Sequence, residues 1–100
     1  MKIDIQSVKK ILDLTLSREL EWYRFEGVPC VNCDYQSKSF ILCKYNEFDT
    51  LRRIVISLTI TDDWGNINEE RNFFERDGEI FSVLCTLYDK VNDSARVEQS

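Results

Sequence analysis

Residues 53–61, Arg-Ile-Val-Ile-Ser-Leu-Thr-Ile-Thr, constrain the fold more than any other stretch of the chain. Every even-numbered position from 54 to 60 is Ile or Leu, whereas most odd-numbered positions are polar. Because successive side chains of a strand point to opposite faces of its sheet, this pattern predicts a strand with one aliphatic face and one polar face. The aliphatic face must be covered by another layer, so the chain is limited to folds in which one side of a sheet is packed.

Two further strands are predicted before this one. Residues 20–26 alternate and are rich in aromatic side chains, and residues 35–45 follow with a similar alternation. In the second of these strands, Phe40 and Leu42 are expected on one face of the sheet, with residues 41, 43 and 45 on the other.

Turn signals separate the predicted strands. Gly27 and Pro29 place residues 30–34 in or near a connecting loop. Residues 62–66, Asp-Asp-Trp-Gly-Asn, predict a tight turn, after which a short fourth strand is expected to begin at Ile67. The charged residues that follow predict a loop or an irregular edge.

Helical periodicity marks both ends of the chain. Apolar residues recur at helical spacing from Ile5 to Leu16, and Asp4 is predicted to cap this helix. A second amphipathic helix is expected to begin at a cap formed by Asp77 and to end near residues 90–92.

The order of these elements predicts an α+β fold. An N-terminal helix, an antiparallel sheet of three to four strands and a C-terminal helix are expected, with both helices packed on one face of the sheet. A chain of 100 residues favours one domain, assigned to residues 1–92. Residues 93–100 lack an apolar period and are predicted to form a flexible tail.

Charge and composition disfavour several classes of function. The net charge is -5, and residues 61–100 carry four basic and ten acidic side chains, so binding to nucleic acid is not expected. The first residues are interrupted by charges, and the chain has no apolar run long enough to cross a membrane, so a cytoplasmic location is predicted. In that compartment the four cysteines are expected as free thiols or metal ligands rather than disulfides.

Catalytic readings are limited by the absence of histidine, which removes Cys-His and Ser-His nucleophiles. A metal-dependent carboxylate enzyme remains as an alternative if Asp62, Asp63 and Asp77 meet in one cleft. No phosphate-binding glycine loop is present. We therefore expect a protein that is not an enzyme.

Cysteine spacing supplies another alternative. Cys30 and Cys33 have the two-residue separation of zinc ligands, and Cys43 or Cys85 would complete a zinc-stabilised module. A second close pair is lacking, so neither a metal nor another cofactor is the favoured prediction.

Aromatic residues supply the main functional prediction. They exceed what the core needs and are typical of protein interfaces. The predicted partner-binding residues are Trp22, Tyr23, Phe25, Trp64, Phe73 and Phe74. Together with an open sheet edge, they are expected to bind another protein or a second copy of the chain.

The order of motifs resembles a loosely defined set of short bacterial α+β proteins of unknown function. The matching features are Leu20-Glu21-Trp22, the segment 56–67 with its Asp-x-x-Gly turn, and the helix over 84–91. The resemblance implies the architecture and no activity, and the Cys30–Cys33 stretch departs from it. The leading hypothesis is a non-enzymatic cytosolic protein-binding module, such as a regulator, an immunity or anti-defence inhibitor, or an accessory protein of a mobile element.

Overall fold

The computed structural model describes residues 2–46 and 53–98. Its helices are α1 (Ile5–Leu16) and α2 (Glu79–Ser94), with one turn of 3-10 helix at Glu75–Asp77. Its strands are β1 (Tyr23–Phe25), β2 (Cys30–Tyr35), β3 (Lys38–Asn46), β4 (Ile54–Asp62), β5 (Ile67–Phe73) and β6 (Arg96–Glu98).

These strands form one sheet of six, in the order β5-β4-β3-β2-β1-β6. Each of the first five pairs antiparallel with its neighbour along the chain, whereas β6 pairs parallel with β1. The prediction of two terminal helices with a sheet between them is confirmed. The predicted sheet of three to four antiparallel strands is wrong, since the sheet is larger and mixed.

The strand β2 occupies the stretch that was predicted to be a loop. The backbone N–H of Val28 donates to the carbonyl of Phe25 at 3.2 Å, and Gly27 takes a φ of +80°. This tight turn reverses the chain within a few residues, so the backbone is extended again from Cys30. Gly27 and Pro29 therefore shorten the connection instead of lengthening it.

The strand β5 is charged because its side chains hold the N-terminal segment. The N–H of Ile3 donates to Glu69 Oε2 at 2.9 Å, and Arg71 Nη1 donates to the carbonyl of Ile3 at 3.0 Å. The Arg71 guanidinium also lies 4.7 Å from the centre of the Phe73 ring. Side chains that the sequence assigned to a loop thus anchor a buried Ile3 against the sheet.

The strand β6 lies within residues 93–100, which were predicted to form a tail. The N–H of Arg96 donates to the carbonyl of Trp22 at 3.1 Å, and Glu26 N–H donates to the carbonyl of Glu98 at 3.4 Å. These bonds add residues 96–98 to the edge of the sheet, because α2 returns the chain alongside β1. The last two residues of the chain lie outside the described part.

Of the two predicted carboxylate caps, one is at the start of an α-helix and the other is at the 3-10 turn. Asp4 accepts from the N–H of Ser7 at 2.8 Å, which confirms the predicted cap of α1. Asp77 accepts from the N–H of Phe74 at 2.7 Å, so it caps the 3-10 turn and not α2, which begins after Gly78. Neither helix of the described residues combines the length and apolar character that a membrane crossing requires.

The core lies between the helices and one face of the sheet. The helix α2 packs over β2, β3 and β4, and α1 packs beside α2 on the same side. The largest fully buried side chains of this core are Phe73, Ile3, Ile11, Leu42, Ile56, Leu58, Ile60, Leu84, Leu87, Val8 and Val31.

Shortening Leu58 tests the position of this core. Leu58 is 1% exposed, whereas Ile67 is 60% exposed at the start of β5. We expect Leu58→Ala to lower the free energy of unfolding by about 2–5 kcal/mol, since a cavity remains in the packed layer. Ile67→Ala, the matched control, should change it by no more than about 0.5 kcal/mol. Urea denaturation measures both, and equal effects would contradict this assignment of the core.

Candidate interaction surface

The sheet face opposite the helices, here called the open face, carries the side chains that alternate with the core. Within the described residues neither helix packs on it. Its strand positions are Tyr23 and Phe25 on β1, Cys30, Asn32 and Asp34 on β2, Ser39, Ile41, Cys43 and Tyr45 on β3, and Val55, Ser57, Thr59 and Thr61 on β4.

The β4 side of the open face is lined with hydroxyl groups. Ser57, Thr59 and Thr61 are each 8% exposed, and Val55 on the same face of β4 is 1% exposed. Thr59 Oγ1 donates to Glu70 Oε1 at 3.3 Å across the β4–β5 pair. Hydroxyl side chains of this kind can both donate and accept hydrogen bonds.

Aromatic and aliphatic side chains lie on β1 and β3 of the same face. The rings of Tyr23 and Phe25 meet edge to face, with 6.0 Å between their centres. Burial raises the pKa of the Tyr23 phenol, and the Asp34 carboxylate raises it further, so the ring stays neutral at physiological pH. On β3, Ile41 is half-buried and Tyr45 is 40% exposed. The open face therefore combines apolar contact area with polar groups.

A disulfide bond between Cys30 and Cys43 crosses the open face. The two cysteines are directly opposite in the β2–β3 register, and the next pair is closed by a hydrogen bond from Lys44 N–H to the Pro29 carbonyl at 3.1 Å. The cysteines thus occupy a non-hydrogen-bonded position, where opposing side chains approach most closely. The prediction that these two cysteines are free thiols or metal ligands is wrong.

The other two cysteines lie on the helix side of the sheet and remain free thiols. Cys33 is fully buried on β2, and burial raises the pKa of its thiol to about 12. Cys85 is half-buried on α2. The four cysteines of the zinc alternative are therefore split between the two faces of the sheet. Across residues 2–46 and 53–98 no group of three or more His, Cys, Asp or Glu is arranged to hold a metal ion.

The β4–β5 turn presents Trp64 to solvent with 88% of its surface exposed. Asp62 Oδ1 accepts from the N–H groups of Trp64 and Asn66, both at 2.9 Å. These bonds, with that of Asn66 first, lower the pKa of the Asp62 carboxyl. The turn is held by its own hydrogen bonds, so Trp64 is displayed on a fixed backbone and loses little backbone entropy on binding.

The remaining predicted partner-binding residues are less accessible. Trp22 is buried and its Nε1 donates to Thr15 Oγ1 at 3.0 Å, while Phe73 is fully buried at the end of β5. Both complete the core, so their prediction as exposed contacts is corrected. Phe74 is half-buried under the Arg76 guanidinium, 4.7 Å from the ring centre. Tyr23 and Phe25 lie on the open face, and Trp64 lies in the β4–β5 turn.

The predicted carboxylate cleft is not formed. Asp62 and Asp63 lie at the turn that precedes β5, whereas Asp77 follows the other end of that strand. A strand of seven residues is about 23 Å long, so the carboxylates cannot share one substrate or metal ion. Because of this separation, the alternative prediction of a metal-dependent carboxylate enzyme that uses these three residues is wrong.

The edges of the sheet are poor docking sites compared with the open face. The strand β5 carries charged side chains, and its pairing with β4 is interrupted by an irregularity between Ile60 and Thr61. The opposite edge, β6, is only three residues long. Charges, bulges and short strands prevent an edge from pairing with another chain. The predicted use of an open edge is therefore less favourable than use of the face.

A groove of about 1080 Å³ lies between the C-terminal ends of the two helices, beside Tyr23. Its lining mixes the cations Arg18 and Lys90 with the carboxylates of Glu19 and Glu21. Because neither sign of charge predominates, the groove does not favour one class of ligand.

The sequence predicted part of the open face, but not its disulfide. Alternation along residues 35–45 placed Ile41, Cys43 and Tyr45 together, which the register confirms. The disulfide was missed because Cys30 was assigned to a loop, where no partner strand could be named. The hydroxyl row on β4 was visible only as the polar face of a strand.

No protein-family model, curated protein or solved structure matches this chain. The resemblance to short bacterial α+β proteins therefore stays a prediction.

The turn that displays Trp64 has a pH-dependent stability. Because the pKa of Asp62 is lowered in the folded chain, its contribution is complete above the ordinary value of 3.8 and is lost as the pH falls through the lower folded pKa. We expect Asp62→Ala to be less stable than the parent at neutral pH, with the difference narrowing well below pH 3.8. Urea unfolding at several pH values measures this, with Asp63→Ala as the matched control. A difference that is constant with pH would contradict the role of Asp62.

Proposed function

We propose that this chain is a non-enzymatic protein-binding module of the cytoplasm, and that it binds a protein partner through the open face. The observation that carries the proposal is a sheet face that presents Tyr23 and Phe25 on β1, Ile41 and Tyr45 on β3 and a hydroxyl row on β4, with no described helix over it. Aromatic rings next to hydrogen-bonding groups are the composition of protein interfaces.

The dimensions of the open face support a protein partner over a small molecule. Four strands of 3, 6, 9 and 9 residues, spaced about 4.8 Å apart with about 3.3 Å per residue, give a face on the order of 400 Å². A standard interface buries about 800 Å² on each partner, so the open face would supply about half of one and the Trp64 turn would add to it. Small-molecule sites are concave pockets, whereas this surface is one side of a sheet.

Charge defines the surface that the partner should present. The carboxylates of Asp34 and Glu70 flank the open face, and Glu98 pairs with Arg96 at 2.7 Å on β6. With a net charge of -5, the chain favours a partner whose contact surface is apolar at its centre and basic at its rim. Two copies of the open face would bring carboxylates together, so the structure favours a different protein over a homodimer.

The cytoplasmic location is part of the proposal. Cys33 and Cys85 are free thiols, as is usual in a reducing compartment, and the Cys30–Cys43 disulfide is in that case expected to be transient or redox-sensing. A small acidic binder of this kind fits the predicted role of a regulator or inhibitor, including an immunity or anti-defence protein or an accessory protein of a mobile element.

Substitutions on the open face test the proposal. Tyr45→Ala and Phe25→Ala remove aromatic contact area, and Leu16→Ala is the matched control, since Leu16 is 53% exposed at the end of α1. We expect each open-face variant to bind the partner captured from native lysate with an affinity lower by about tenfold or more. Truncating an interface anchor costs about 2 kcal/mol of binding free energy. The control should bind as the parent does, and circular dichroism confirms that all variants are folded.

Three outcomes would contradict the proposal. The first is a captured protein that binds the parent, the open-face variants and the control equally. The second is a monomer that captures nothing. The third is a dimer of the chain that is dissociated by Tyr45→Ala, since the occupant would then be a second copy. Affinity capture combined with light scattering distinguishes them.

A further inference from the structure

The Cys30–Cys43 disulfide joins two inner strands of the sheet at the middle of the open face. Cys43 is paired with Cys30 on one side and with Ser57 of the hydroxyl row on the other. Both cysteines are half-buried, so the bond is partly accessible from solution. Disulfides of reducing compartments are mostly transient, catalytic or redox-sensing rather than structural.

The free cysteines cannot exchange with this bond inside the folded chain. Cys33 is fully buried on the opposite face of the same strand, and Cys85 projects from α2 on the helix side. The sheet therefore separates both thiols from the Cys30 and Cys43 sulfurs. Any thiol that attacks the bond in the native state must come from solution, and only one intramolecular pair can form again.

We propose that Cys30 and Cys43 form a reversible thiol-exchange site that sets the shape of the open face. The substrate is an external dithiol, either a small molecule or a reducing protein. Its thiolate attacks one sulfur, which breaks the Cys30–Cys43 bond and forms a mixed disulfide. Its second thiol then closes the external disulfide, and two electrons and two protons are left on Cys30 and Cys43 as thiols.

Reduction should loosen the strand pair at this point. The disulfide holds the two Cα atoms 4.0 Å apart, closer than the roughly 4.5 Å of an unlinked non-hydrogen-bonded pair. The adjacent hydrogen bond from Lys44 N–H to the Pro29 carbonyl reports this change directly. Because Cys43 lies beside Ser57, a shift of these strands alters the open face at its centre, and its effect on a partner rests on the proposed function.

Alkylation of the folded protein tests the exchange without any partner. Iodoacetamide should leave Cys30 and Cys43 unmodified before treatment and should modify both after dithiothreitol, with the far-ultraviolet circular dichroism unchanged. Cys33 should stay unmodified until denaturant is added. A bond that survives dithiothreitol until the chain unfolds, or reoxidation to a pair that includes Cys33 or Cys85, would overturn the proposal.

Phenylarsine oxide, which binds two neighbouring thiols, tests the reduced form. The reduced parent and the Cys85→Ser control should each bind one equivalent. Cys30→Ser and Cys43→Ser should each lose this binding by at least tenfold, because a single thiol remains at the site. Equal binding of phenylarsine oxide by all four proteins, or no binding by the reduced parent, would contradict the thiol-exchange site. If a variant fails to fold, the alkylation of the parent protein tests the site instead.

Amide hydrogen exchange tests the change of shape. Reduction should accelerate exchange of the Lys44 amide several-fold while the amide of Leu58 on β4 stays protected. Unchanged exchange at Lys44 would refute the effect on the open face. If the exchange site is confirmed but the oxidised and reduced proteins capture the partner equally, then only the proposed effect of the disulfide on partner binding is wrong. If alkylation fails while Tyr45→Ala still abolishes capture, the proposed function stands without this site.

Discussion

Burial of the β4 side chains on the helix side is the interaction on which the rest of the structure depends. Ile56, Leu58 and Ile60 are each no more than 1% exposed, and burying a side chain of this size contributes about 1.5–3 kcal/mol. β4 pairs with β3 on one side and with β5 on the other, so its register is transmitted to both neighbours. Because both helices pack on this one face, the opposite face is left for other contacts.

The two faces of the sheet have different chemistry because a strand alternates. On β4 the residues opposite the core are mainly hydroxyl side chains, which form hydrogen bonds with neighbours such as Glu70. On β3 the corresponding residues include Ile41 and Tyr45, which the fold does not need for its core. These apolar groups lie outside the core, Ile41 opposite Thr59 and Tyr45 opposite Val55, and they are the basis of the proposed contact with another protein.

Local sequence patterns predicted the helices and strands that are fixed by contacts between residues close in sequence. They failed for elements that depend on contacts between residues far apart in sequence. Alternation identified β3 and β4, and helical periodicity with the Asp4 cap identified α1. The start of β5 at Ile67 was predicted, but its continuation to Phe73 was not, because Glu69 and Arg71 bind the backbone of Ile3, a contact across more than sixty residues. The strand β6 was hidden because three residues carry no period, and it exists through pairing with β1. Most residues of the candidate surface could be named from the sequence. Which residues of different strands share one face of the sheet could not be predicted.

The disulfide follows from the same burial that fixes the sheet. The β2–β3 turn has Gln36 and Ser37 at positive φ of 47° and 63°, the geometry of a two-residue hairpin turn, although neither residue type favours it. The pairs that face the core, such as Val31 opposite Leu42, fit the same register. A shift of one residue would move every side chain of a strand to the other face. Core packing and the hairpin turn together therefore place Cys30 opposite Cys43 on the open face while Cys33 remains buried beneath it.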